Sequence, residues 1–224
     1  ITQRMRIISY NGYLYLRQNK DDILGMEMGG LSLFPIMLIS MCITVALPHV
    51  LNMEELRLQV EPTTMRILQI IVGGAFLYIM GVKDDFHGTS SFNKFLILFL
   101  TAAMFPATGL WINDLYGLFG IHHIPMWVGM PLTLFVAIYL TELPSITDSP
   151  EGVTTGTGTL LVFLFLLLSI YGNHAMSTII ASATIGVTLP FTLCKKFDKR
   201  WEKTLMGSSG NYILGYILSY LAIG

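Results

Sequence analysis

"RILQIIVGGAFLYIMGVKDDFHGTSSFNKFLILFLTAAMFPATGL", Arg66 to Leu110, holds two apolar runs on either side of a short charged insert. Each run approaches the ~20 residues that a helix needs to cross a hydrocarbon core. Neither alternates apolar with polar side chains, which excludes the strands of a membrane barrel. Lipid then leaves the helix as the structure that satisfies its own backbone. The stretch reads as a helical hairpin in a membrane, with Lys83, Asp84, Asp85 and Lys94 gathered where it turns.

The rest of the chain agrees. Of 224 residues, 53% are hydrophobic and 12% charged, with a mean hydropathy of +0.64; a soluble domain carries about 25% charged residues. Long apolar windows recur at Leu31–Val50, Arg66–Val82, Phe95–Leu110, Pro125–Leu140, Leu160–Tyr171 and Ala175–Cys194, and a last one starts at Tyr212. The expected fold is all-α, a polytopic transmembrane bundle of about seven spans. No internal repeat or low-complexity linker divides it, so residues 1–224 read as a single integral-membrane domain. It is expected to be incomplete at both ends, because it opens on Ile1 and its last apolar run is short.

Net charge is −1, which argues against a nucleic-acid partner, since phosphate backbones require a basic surface. Cys42 and Cys194 fall in apolar runs and read as structural thiols. Basic residues fix the expected orientation. Arg17, Lys20, Lys83, Lys94 and the cluster Lys195, Lys196, Lys199, Arg200 and Lys203 share one side, against Arg57 and Arg66 on the other. The richer side is expected to face the cytoplasm.

Asp84, Asp85, Glu142, Asp148 and Glu151 then fall in loops on that same side. The segment Thr141–Thr159 contains three of these acids and no Lys or Arg, so local salt bridges do not neutralise it, whereas a divalent cation, or basic groups from another loop such as Lys83, Lys94 and the Lys195–Lys203 cluster, could do so. Taken one at a time, these residues have bland readings too. Asp84 and Asp85 suit a solvated helix end, Asp148 and Glu151 an exposed loop, and Lys94 a lysine that snorkels to the interface. His122 and His123 lie on the opposite side and read as surface residues. In "MGSSGN", Met206 to Asn211, small residues precede a helix and leave backbone N–H groups free to meet an anion.

Taken in order, "MGGLSLF", "GVKDDFHGTSSFNKF", "LYGLFGIHHIP", "TELPSITDSPEGV" and "LMGSSGNYILGY" resemble the polyprenyl-phosphate N-acetylhexosamine-1-phosphate transferase superfamily, over roughly Gly29 to Gly224. The resemblance implies transfer of a sugar-1-phosphate from a UDP-amino sugar such as UDP-GlcNAc to a membrane polyprenyl phosphate such as undecaprenyl phosphate. UMP would be released and Mg2+ used, at the cytoplasmic face of a bacterial inner membrane, for cell-wall or surface-polysaccharide synthesis. A homodimer stays open. Asp84 and Asp85 match the family's paired aspartates and Lys94 its following basic residue. Asp148 matches the aspartate of Asn-x-x-Asn-x-x-Asp-Gly-x-Asp-Gly, and Gly152 the final glycine. Gly207 and Gly210 match the glycines of Gly-Asp-x-Gly-Ser.

The resemblance therefore implies Asp84, Asp85, Asp148 and Lys94 as catalytic residues. Glu142, Ser145, Glu151, Gly152, Gly207 and Gly210 would contact substrate, and Asp148, Asp85 and Ser208 would serve the metal. Several positions depart from the motifs. Glu142 and Ser145 stand where asparagines are expected, Ser149 replaces a glycine and Glu151 an aspartate, and Ser208 replaces the metal-binding aspartate. A hydroxyl is a neutral ligand and does not supply that charge. The alternative is a catalytically inactive homologue that binds lipid or a partner.

Overall fold

Apolar runs that lie in lipid must close every backbone hydrogen bond internally, and in this chain they do so as helices. A computed structural model describes residues 31–50, 64–114, 123–147, 153–197 and 206–224. Among the described residues there are seven α-helices: α1 Leu33–Val50, α2 Thr64–His87, α3 Ser91–Ala107, α4 Met126–Thr147, α5 Val153–Tyr171, α6 Ala175–Phe197 and α7 Gly207–Ile223. Four stretches, within α2, α4, α5 and α6, are long and apolar enough to cross a membrane. The chain is an all-α integral-membrane bundle.

The helices run longer than the apolar windows suggest. α2 continues past Val82 to His87 and so takes in Asp84 and Asp85; α4 continues past Leu140 to Thr147 and takes in Glu142 and Ser145; α7 begins at Gly207, not Tyr212. The acids expected in loops at 84, 85 and 142 are thus helical. The i to i−4 ladder does not stop where the hydrocarbon stops, so a polar last turn stays helical once the apolar turns have nucleated it.

Packing follows chain order. α1 touches α2, α2 touches α3, and so on to α6, which closes the ring against α1. α7 runs through the middle, packed chiefly against α4 and α2 with further contacts to α5, α6 and α1. Its residues are buried from Ser209 to Leu221 without a break. The ring's outward positions, Ile36, Ile39 and Ile43 on α1 or Leu160, Leu164 and Leu168 on α5, are apolar and exposed. Exposed stripes of this kind suit lipid rather than water.

Hydroxyls and small residues hold the hub in place, as expected where both protein and solvent are apolar. Ser219 Oγ of α7 lies 2.8 Å from Gly215 O, 3.1 Å from Ala137 O and 3.2 Å from Thr141 Oγ1 of α4. Tyr216 donates to Gln69 O of α2 at 3.2 Å and meets Phe105 of α3 edge-on at 5.4 Å. Backbone contact is closest at two glycines. A Cβ on Gly215 would sit 2.4 Å from Thr141 O, and one on Gly81 would sit 2.3 Å from Ser209 Cα. Both helices that grip α7 therefore reach it at positions where no side chain fits.

Candidate active site

The ends of α2, α4 and α6 and the starts of α3, α5 and α7 lie at one end of the bundle, and most of the polar residues singled out in the sequence meet there. Asp84 and Asp85 are neighbours on the last turns of α2. Successive helical positions diverge by about 100°, so the two carboxylates face different helices.

Asp84 faces the turn into α3. The N–H of Gly88 donates to Asp84 O at 2.9 Å and ends the helix. Just beyond, Thr89 donates to Asp84 Oδ1 from both its backbone N–H, at 2.9 Å, and its hydroxyl, at 2.8 Å. Lys94, in the first turn of α3, places Nζ 2.7 Å from Asp84 Oδ2. Both oxygens of Asp84 are thereby engaged. Its side chain is 9% exposed and that of Lys94 is 28% exposed, so the cation is the member of the pair that reaches outward. An ammonium carries three donors, and the bond to Asp84 occupies one.

Asp85 faces α7. Its Oδ1 accepts from Ser208 N–H at 2.7 Å and its Oδ2 from Ser209 N–H at 3.1 Å. The residue before that helix, Met206, offers no side-chain cap, so the first N–H groups of α7 would be orphaned without help. Asp85 supplies the cap from another helix, and its charge also suits the positive end of the helix dipole. Gly81, one turn back on α2, allows the backbone approach that brings Asp85 into range. The anion that the N–H groups of the "MGSSGN" stretch were expected to meet is thus a carboxylate of the chain itself. Gly207 turns into the helix with φ 76°, and Gly210 is buried within its first turn.

Glu142 comes from α4. Contact of Thr141 with Gly215 holds this part of α4 against α7, and Glu142 interacts electrostatically with Lys94, Asp84 and Tyr212. Its Oε2 is buried and has no hydrogen-bond partner. Tyr212, one turn after Ser208 on α7, is fully buried and its hydroxyl likewise lacks a partner. Ser145 lies beside Tyr212. Sequence reasoning missed Tyr212 because an aromatic residue in an apolar run signals packing. Its place within "LMGSSGNYILGY", four residues after Ser208, was the signal that linked it to the site.

The structure thus brings Asp84, Lys94, Glu142, Ser145, Ser208 and Tyr212 to one end, with Asp85 locked beneath Ser208 and Ser209. Asp148, Glu151 and Gly152 lie outside the described residues. Among the described residues, no three of His, Cys, Asp and Glu converge as a metal-holding group. Chemically, the arrangement offers an outward-facing ammonium beside buried acceptor and donor groups, which suits an anionic ligand that also carries hydroxyls.

A family model described as glycosyl transferase family 4 matches residues 67–224. Among curated proteins, the chain is 25% identical over 162 residues to the probable undecaprenyl-phosphate N-acetylglucosaminyl 1-phosphate transferase of Bacillus subtilis, covering 72% of this chain and 44% of that protein. It is 27% identical over 123 residues to the phospho-N-acetylmuramoyl-pentapeptide-transferase of Halalkalibacterium halodurans, covering 55% and 34%. To the protein of that same name in Staphylococcus carnosus it is 26% identical over 165 residues, covering 68% and 49%. The chain spans less than half the length of each of these relatives.

Proposed function

The chain belongs to glycosyl transferase family 4, and from that premise we propose that it takes part in moving an N-acetylhexosamine-1-phosphate from a UDP-sugar to a polyprenyl phosphate. The active end would face the cytoplasm, in keeping with the excess of lysine and arginine there. An oxygen of the lipid phosphate attacks the phosphorus that carries the sugar. A new phosphoanhydride bond forms, the old one breaks, and UMP leaves with the bonding electron pair. A phosphate monoester is already largely ionised near neutral pH, so no general base is assigned. The protein's work is to align and to neutralise charge.

The observation that carries this reading is the Asp84–Lys94 pair at 2.7 Å. Asp84 fixes the direction of Lys94, and Lys94 holds phosphate charge at the surface of the bundle. Magnesium is the proposed cofactor, but the described residues do not by themselves fit it. Asp84 and Asp85 have both oxygens engaged within the protein, and Ser208 brings no charge. The proposed magnesium ligand is Asp148. A second reading, a noncatalytic member that binds lipid or a partner, draws on the same two features: Asp85 spent as a helix cap, and serine at 208.

Release of UMP from UDP-GlcNAc and undecaprenyl phosphate, measured on the purified protein in nanodiscs, separates the two readings. Transfer predicts UMP that requires added magnesium, disappears on chelation and falls at least about 100-fold in Lys94→Met. A Lys94→Met protein as active as its parent would refute the assigned role, and absence of UMP under every condition would favour the noncatalytic reading.

A further inference from the structure

Two buried polar groups at the acidic end make no hydrogen bond of good geometry, although Ser145 and Lys94 lie close to one of them, the Tyr212 hydroxyl. Glu142 Oε2 on α4 is an acceptor without a donor, and the hydroxyl of Tyr212 on α7 is donor and acceptor at once. They are near enough to interact electrostatically, yet they do not bond to each other. Leaving such groups unmet is costly, and natural structures rarely do so without a functional reason. Their relative position is not a matter of flexible loops. Gly215 seats α7 against Thr141, the residue next to Glu142, and Tyr212 itself is fully buried in the hub helix.

An acceptor and a donor held near each other without bonding are complementary to a group that both donates and accepts. A hydroxyl does this: its O–H donates to the carboxylate while its oxygen accepts from the phenol. Lys94, which interacts with both Glu142 and Tyr212, sets an ammonium beside them. Phosphate on the ammonium and hydroxyl between carboxylate and phenol together describe one ligand, a phosphorylated sugar.

We propose that Glu142 and Tyr212 form a hydroxyl-binding slot that selects the sugar of the UDP-sugar donor, with Tyr212 a specificity-determining residue. This rests on the transferase reading for its choice of ligand. A slot of this kind rejects a sugar that lacks the hydroxyl, because both protein groups are then left buried and unpaired.

The test compares UDP-GlcNAc with its 3-deoxy, 4-deoxy and 6-deoxy analogues on the nanodisc protein, by isothermal titration for binding and by UMP release for turnover. One analogue is expected to bind about 10- to 100-fold more weakly than UDP-GlcNAc. In Tyr212→Phe and in Glu142→Gln that particular discrimination should shrink towards unity, while discrimination at the other two positions stays as in the parent. Tyr212→Phe keeps the ring and its packing, so loss of fold does not account for the result. Equal binding of all four sugars by the parent overturns the slot, as does discrimination that survives in both variants. Binding that shows the pattern without UMP release keeps the slot and refutes the transferase reading; UMP release with no deoxy effect does the reverse. Failure to bind any of the sugars refutes both.

Discussion

Replacing Asp85 by alanine removes both acceptors from the start of α7. The bonds lost are 2.7 and 3.1 Å long, to Ser208 N–H and Ser209 N–H. Ser209 is buried, so water does not readily take over its N–H, and each unpaired buried donor costs about 1–3 kcal/mol. A helix cap by itself is worth about 0.5–2 kcal/mol, and a favourably placed charge at a helix terminus up to about 2 kcal/mol. These figures describe one carboxylate and overlap, so the combined loss is about 2–4 kcal/mol. At the lower bound, local opening of the first turn of α7 becomes about 30-fold more frequent. Hydrogen exchange read by mass spectrometry on peptides covering residues 206–211, in nanodiscs, checks this directly. Asp85→Ala should speed exchange at Ser208 and Ser209 by at least that factor while the middle of α7, near Gly215, stays protected. Asp85→Asn keeps one oxygen acceptor and should fall between parent and alanine. Unchanged exchange at Ser208 and Ser209 in Asp85→Ala would refute the idea that α7 takes its cap from α2.

Three further outcomes follow from the same contacts. Gly215→Ala forces a methyl to within 2.4 Å of Thr141 O, where backbone and not a pliable side chain must yield; the thermal midpoint in detergent should drop by several degrees, by more than for alanine at the open position Gly156, which has no neighbour within 4 Å. Lys94→Ala leaves the Asp84 carboxylate, whose side chain is 9% exposed, with only its bonds from Thr89 and should cost about 1–2 kcal/mol, between an exposed and a buried pair, whereas the double change Lys94→Ala with Asp84→Asn should recover part of that loss in the same melt. Ser208→Asp sets a third carboxylate beside Asp84 and Asp85; without divalent cations it should melt lower than its parent, and millimolar magnesium should raise its midpoint more than it raises the parent's.

The sequence shows well that these residues form membrane helices, because windows of 18 predominantly apolar residues with few charges have few other fates. It shows less well where each helix stops. Apolar windows measure the solvent around a segment, whereas helix ends depend on backbone hydrogen bonds, so Lys83–His87 and Thr141–Thr147 look like loops and fold as final turns. The ordered motifs also draw attention to residues that the fold brings together: Asp84, Lys94, Glu142, Ser145 and Ser208 share one end. What each does there was not legible. Asp84 and Asp85 are the same residue type one position apart, and only the direction of the helix face assigns one to Lys94 and the other to Ser208, 123 residues away. Nor does composition distinguish "YILGYILSYLAI", Tyr212 to Ile223, from a lipid-facing span. It is the hub of the bundle, and its glycine, serine and tyrosines, which repeat on near-helical spacing, touch protein on all sides.

Because α7 is the axis of the bundle and follows the other six described helices in the chain, those helices are synthesised before their centre exists. Until the polypeptide has been translated past Gly207, Asp85 has no amide to grip and Glu142 faces no phenol. The contacts that tie α2 and α4 to one another through α7, Asp85 to the amides of Ser208 and Ser209 and Thr141 to Gly215, therefore form only after α7 has been made.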